Sequence, residues 1–160
     1  NYCLQSQMQI FEGNKMVEVT KAAAPEIARG VAFLNENKKR KEVITLPSGL
    51  QYEVLKASDR EIKVKPTLLD TVVVNYVGSL TNGIEFENSF KSGRPATFLV
   101  TQVIAGWTEV LQLMNAGDKW KVFIPTELAY NLTPRDPNVI PPGAALVFEM
   151  TLEDVKKSGN

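Results

Sequence analysis

The chain contains no histidine, and its one cysteine is Cys3. A single Cys excludes an internal disulfide. Without His or a second Cys, a Cys/His metal site is excluded as well. Ser-His and Cys-His nucleophilic dyads fall with it. Any catalysis must therefore proceed without imidazole, and no metal or other cofactor is expected. An excess of one charge is also missing, because 18 basic side chains balance 18 acidic ones. Nothing here draws the chain toward nucleic acid or an anionic membrane surface. No apolar run approaches the length that spans a bilayer. The first residue is Asn1 rather than Met, which leads to the expectation of a processed or trimmed chain; removal of a signal peptide is one route to that. Cys3 is not expected to carry a lipid anchor, because a lipidated Cys is the first residue of a mature chain.

What remains is 160 residues of ordinary apolar content, 44 %. That is enough for one domain with an appendage and a sizeable core. Residues 1–45 read as a polar, helical extension. Ala22-Ala23-Ala24-Pro25 interrupts the pattern, and Pro25 suits the first turn of a new helix. Ile27, Val31 and Leu34 mark one face. The run Asn37-Lys38-Lys39-Arg40-Lys41 closes the helix with positive charge, favourable at its C-terminal dipole. A segment this short must pack on the body, pair with a second copy or stay mobile.

Thr45-Leu46-Pro47-Ser48-Gly49 is a turn or linker, and residues 46–160 form the second unit. There the helical period gives way to short strands near 50–55, 61–65 and 71–80. Val72, Val74 and Tyr76 share one face of the last of these, with Val73 and Val77 on the other. Thr81-Asn82-Gly83 is a hairpin signal, followed by strands near 84–87 and 96–100. Next comes an amphipathic helix from Val103 to Met114, with Val103, Trp107, Val110, Leu111 and Met114 on one face. Thr101 is its expected N-cap and Gly117 its stop. Trp120, Val122 and Ile124 alternate, as do Leu146, Phe148, Met150 and Leu152. The expected fold class is α+β: an antiparallel curved half-barrel sheet of about five strands wrapping one short helix, preceded by the helical segment.

Several motifs then fall in series. Val73-Val74-Asn75-Tyr76-Val77-Gly78-Ser79-Leu80 precedes Gly83-Ile84-Glu85-Phe86-Glu87-Asn88-Ser89. Val103-Ile104-Ala105-Gly106-Trp107, Leu128-Ala129-Tyr130, Ile140-Pro141-Pro142 and Leu146-Val147-Phe148 follow. In this order they resemble the signature of FKBP-type peptidyl-prolyl cis-trans isomerases over about residues 46–155. Thr45 to Tyr52, Pro95 to Phe98 and Leu111 to Met114 look like the bacterial branch, whose members often carry a dimerising N-terminal helical segment.

The resemblance implies an apolar pocket between helix and sheet. Its catalytic residues would be Tyr76, Phe86, Glu87, Ile104 and Tyr130. Phe98, Val103, Trp107, Ile140 and Phe148 would bind substrate, with Trp107 as the floor. In the family the backbone N–H at the Ile104 position and the Tyr130 hydroxyl bind substrate carbonyls. The implied partners are unfolded or X-Pro-containing protein clients, macrolide inhibitors and a second copy bound through residues 1–45. The implied location is the bacterial cell envelope or periplasm, with the cytoplasm as the alternative. Two residues depart from the pattern. Glu87 replaces the family's Asp, and its extra methylene is expected to displace the carboxylate. Asn131 replaces a Gly; at positive φ Asn is the mildest replacement.

The chemistry suits these residue types. Amide rotation faces a barrier of about 18–20 kcal/mol, and X-Pro bonds exchange over tens to hundreds of seconds. No bond breaks and no proton moves, so catalysis requires only that the twisted amide bind better than the planar one. The twisted amide is less polar, which a dry aromatic pocket favours. One preorganised donor can add about 3 kcal/mol. The alternative is a non-catalytic proline-binding module or chaperone on the same fold.

Overall fold

The computed structural model describes residues 13–158, with side chains from Lys21 onward. Cys3 and the start of the expected extension lie outside the described residues. Helix α1 (Gly13–Asn37) leads into a seven-stranded antiparallel sheet. The strands are β1 (Ile44–Thr45), β2 (Gln51–Lys56), β3 (Thr71–Leu80), β4 (Glu85–Asn88), β5 (Ala96–Leu99), β6 (Lys119–Ile124) and β7 (Leu146–Lys156). The second helix, α2 (Ala105–Leu111), lies between β5 and β6 in sequence. Strand order is β1-β2-β6-β7-β3-β4, and β5 also pairs with β3. One half of β3 therefore holds β5, through Val72–Phe98, and the other holds β4, through Gly78–Glu87.

The alternation read from the sequence sets the inner face. Val72, Val74, Tyr76, Leu146, Phe148, Met150 and Leu152 are buried, as are Trp120, Val122 and Ile124. The α2 stripe meets them: Val103, Trp107, Val110, Leu111 and Met114 are at most 2 % exposed. Each such side chain contributes about 1.5–3 kcal/mol by leaving water. The Asn-Gly hairpin also forms, with Gly83 at φ 91° and its N–H donating to the Leu80 carbonyl over 2.9 Å. Gly117, at φ 98°, ends the turn after α2 and donates to the Leu152 carbonyl.

Several local expectations are corrected. Pro25 lies inside a continuous α1 rather than opening a new helix. Proline withholds one i→i−4 hydrogen bond; Lys21, whose carbonyl loses that donor, is exposed along with Pro25, so water can serve it. Val31 is 52 % exposed and does not share the docked face. The described side chains toward the body recur instead at Ala23, Ile27, Gly30, Leu34 and Asn37. Residues 61–65 are not a strand: the Val64 carbonyl accepts from Ala116 N–H and Lys65 Nζ donates to the Leu113 carbonyl, so the segment is tied to the end of α2. Thr101 does not cap α2. It sits in a 3₁₀ turn, Val100–Gln102, and the N-cap position falls on Ile104. The Ile104 carbonyl receives the first helical N–H groups, those of Trp107 and Thr108.

Candidate active site

The inner face of β3 and β7 presents rings to α2. Trp107, completely buried, stands at their centre. Tyr76, Phe98 and Phe148 approach it edge-on, with centroids at 5.1, 5.8 and 5.2 Å and interplanar angles of 88°, 87° and 82°. Phe86 meets Phe148 at 5.7 Å and 90°. Edge-to-face pairs place positive ring edges on negative faces and are worth about 0.5–1.5 kcal/mol each beyond area burial. The cluster is therefore rigid as well as apolar.

Two glycines make this approach possible, and sequence reasoning assigned neither a role. A Cβ at Gly78 would lie 2.8 Å from ring carbons of both Phe148 and Phe86. A Cβ at Gly106 would lie 2.7 Å from Ile124 Cγ2, so α2 could not sit so close to β6. Both lie within motifs quoted above, which was the available signal. Ser89 was missed as well. It is buried, its hydroxyl accepts the Tyr76 N–H over 2.8 Å, and it donates to Asn75 Oδ1 over 2.8 Å. It ends the quoted motif Gly83 to Ser89, which was the available signal, but its partners lie 13 and 14 positions away and the motif does not name them.

Every residue expected at the site except Glu87 lies in or against one hydrophobic cluster. Val103, Ile104, Tyr130 and Ile140 are buried in it, while Phe86 and Phe98 are half-buried at its margin. Trp107 and Phe148 are wholly covered, so they shape the pocket rather than offer surface. A cavity of about 280 Å³ is lined by Tyr76, Glu87, Asn88, Ser89, Ser92 and Ala96, and so brings in Tyr76 and Glu87 of the expected site residues.

The polar groups divide into two kinds. Tyr76 Oη donates to Glu87 Oε2 over 2.9 Å. Glu87, with its extra methylene, thus reaches a tyrosine hydroxyl with its carboxylate. Burial pushes the Glu87 carboxyl above the usual range, and the Tyr76 bond opposes that shift. Tyr130 differs. Its hydroxyl is buried without a hydrogen-bond partner among the described residues. Burial raises its pKa, which keeps it a neutral donor. Asn131 has φ 53°, the single positive value among described non-glycine residues. The left-handed site inferred for the family's Gly is therefore present, and Asn occupies it at small cost.

An open antiparallel sheet closed over one short helix, with an aromatic well between them, defines a class of small α+β domain. The FKBP-type peptidyl-prolyl cis-trans isomerase family model matches residues 62–153, and the model for the domain amino terminal to it matches residues 3–54. The chain belongs to the FKBP-type peptidyl-prolyl cis-trans isomerase family. It is 46 % identical over 145 residues to the outer membrane protein MIP of Legionella longbeachae, covering 90 % of this chain and 60 % of that protein. It is 47 % identical over 126 residues to the peptidyl-prolyl cis-trans isomerase Mip of Coxiella burnetii, covering 79 % and 53 %. The crystal structure of FkpA from Escherichia coli superposes with a TM-score of 0.80 at 41 % identity, covering 90 % of this chain and 65 % of that one. The chain thus spans somewhat more than half the length of these relatives.

Proposed function

We propose that the protein accelerates cis-trans rotation about X-Pro bonds in protein clients. The observation that carries this reading is the Tyr130 hydroxyl, a buried neutral donor with no partner among the described residues, in the same hydrophobic cluster as the aromatic rings. Leaving such a group unsatisfied costs about 1–3 kcal/mol, and a substrate carbonyl would recover that cost. The proline ring would lie against Tyr76, Phe86 and Phe98, whose placement the covered Trp107 supports from beneath. Removing water there favours the less polar, twisted amide. Family membership and the names of the relatives support the same activity.

In this reading Tyr130 and the Ile104 N–H bind carbonyls, Phe86 and Phe98 hold the ring, and Glu87 orients Tyr76. Val103, Ile140 and Phe148 complete the wall. The extension, residues 1–45, would serve as a dimer contact and residues 46–160 as the isomerase unit. Macrolides would compete for the well. We place the protein in the cell envelope, a location supported by a relative named as an outer membrane protein. Among the described residues no helix is long and apolar enough to cross a membrane.

The test is isomerisation of a short Leu-Pro or Phe-Pro peptide by the native chain and by Phe86→Ala. Removing the ring is expected to lower kcat/KM by roughly tenfold or more, since 1.36 kcal/mol is a factor of ten. A native chain no faster than background, with its fold intact by circular dichroism, would leave the non-catalytic proline-binding reading in its place.

A further inference from the structure

Helix α1 does more than rest on the sheet. Its described inward side is built from small groups, Ala23 and Gly30, with Ile27 between them. A Cβ at Gly30 would lie 3.0 Å from the Ala145 Cβ. A Cβ at Gly143 would lie 2.6 Å from Ile27 Cγ1 and 3.2 Å from the Ala23 carbonyl oxygen. Gly143 has φ +86°, so its open face is both a conformational requirement and the seat of Ile27. Further along, Asn37 Nδ2 donates to Gln51 Oε1 over 2.9 Å, and Gln51 Nε2 donates to the Leu34 carbonyl over 2.9 Å. Asn37 and Gln51 are both buried. The C-terminal half of α1 is therefore locked to β2 while its middle presses on the loop that returns to β7.

That loop carries two of the candidate site residues, Tyr130 and Ile140. Gly143 N–H donates to the Asn131 carbonyl over 2.8 Å, and Asn131 N–H donates to the Thr126 carbonyl over 2.9 Å. Tyr130 lies between these anchors. Its own carbonyl accepts from Thr133 N–H over 3.0 Å. Because the Tyr130 hydroxyl has no partner among the described residues, no hydrogen bond of the side chain holds the ring. Its place depends on ring packing and on backbone bonds, one of which ends on the glycine beneath Ile27. Ile140 is on the same loop, and the Ala144 N–H closes a turn on the Pro141 carbonyl over 3.1 Å.

We propose that Ile27 is a positioning residue of the candidate site: seated on Gly143, it holds the Gly143–Asn131 bond and thereby the placement of Tyr130. This rests on the isomerase reading above. It makes α1 part of the pocket's support, although none of its described side chains lines the cavity.

The test uses the full chain with Ile27→Ala, Ile27→Val and, as a control on the same helix, the exposed Val31→Ala. Peptide isomerisation is measured at a temperature where thermal unfolding shows every variant folded. Hydrogen exchange of the Gly143 amide and the Tyr130 ring signals are followed by NMR. Small misplacements at a site carry large rate penalties, up to about a hundredfold per ångström. Ile27→Ala is accordingly expected to lower kcat/KM by roughly three- to tenfold, to lose Gly143 amide protection and to shift the Tyr130 ring. Ile27→Val keeps the γ-carbon on Gly143 and restores all three; Val31→Ala changes none. A lower unfolding midpoint for Ile27→Ala with unchanged kcat/KM, Gly143 protection and Tyr130 signals overturns the proposal, leaving α1 a stabiliser. If the native chain does not isomerise the peptide, the isomerase reading fails alone. Gly143 exchange then decides the brace: lost protection in Ile27→Ala upholds it, and unchanged protection overturns it.

Discussion

The two faces of the sheet are packed by opposite means. The inner face, toward α2, is filled with large rings meeting edge to face around Trp107. The outer face, toward α1, is joined through Gly30 on Ala145, Ile27 on Gly143 and the buried Asn37–Gln51 pair. It adds Phe33 beside Phe123 at 6.1 Å, Arg40 over the Phe123 ring at 5.7 Å, and an Arg40–Glu53 ion pair. The inner face draws its stability from area removed from water. The outer face draws its specificity from close backbone approach and from polar groups that match only one register. An apolar contact tolerates small shifts; a buried amide pair does not, because a mismatch leaves it unsatisfied.

The comparison breaks most sharply at Trp107. Trp107→Ala removes the centre of the ring cluster and is expected to cost about 3–5 kcal/mol of stability, read as a fall in the chemical denaturation midpoint. On the outer face, Asn37→Ala strands the buried Gln51 Oε1, and a loss of about 1–3 kcal/mol is expected. A loss as large as that of Trp107→Ala would mean that α1 and the sheet form one core rather than two layers of different kind.

A third variant probes the seam that both faces share, the β3–β7 pair. Asp70, just before β3, is buried. It accepts from Thr67 N–H over 2.8 Å, Ser158 N–H over 2.9 Å and Lys157 Nζ over 3.0 Å. These bonds, that from Thr67 foremost, hold its carboxyl well below the usual carboxylate range. A depressed folded value means that the stabilisation is fully present above the unfolded pKa of about 3.9. It is lost as pH falls through the folded value. Asp70→Asn is therefore expected to lower the unfolding temperature at pH 7, and the gap to the native chain should narrow below about pH 4. A gap independent of pH would show that Asp70 acts by shape rather than charge.

The smallest stability effect is expected at the pocket. Tyr130→Phe deletes a buried hydroxyl that has no partner among the described residues, so stability should stay within about 0.5 kcal/mol or rise by about 1. Isomerase activity should nevertheless fall. A clear loss of stability would mean that the hydroxyl serves the fold and would weaken its assignment as a substrate donor.

Much of the inner face was legible. Alternation in Val72–Val74–Tyr76 and Leu146–Phe148–Met150–Leu152 reports which side is buried, because a strand has a period of two and water sorts its faces. The stripe Trp107–Val110–Leu111–Met114 does the same for α2. The motifs brought the candidate site residues into one cluster, and the left-handed conformation at Asn131 followed from the chemistry of the residue it replaces. Local detail was less legible. Thr101 has the side chain of an N-cap, but the 3₁₀ turn at Val100–Gln102 postpones the helix start. Residues 61–65 have strand propensity, yet the end of α2 captures their polar groups.

The sequence by itself determined the class of fold, the inner core and the aromatic well, because hydrophobic period and ring content are written locally and survive any arrangement of the rest. Only the tertiary structure decided how α1 docks, that Pro25 lies within one helix, that Val31 faces water, and that Gly78 and Gly143 are points of close approach. The physical reason is common to all four. A glycine against an alanine, or an amide against an amide, carries no hydrophobic signal along the chain. Its worth appears only when a distant segment arrives at the right separation.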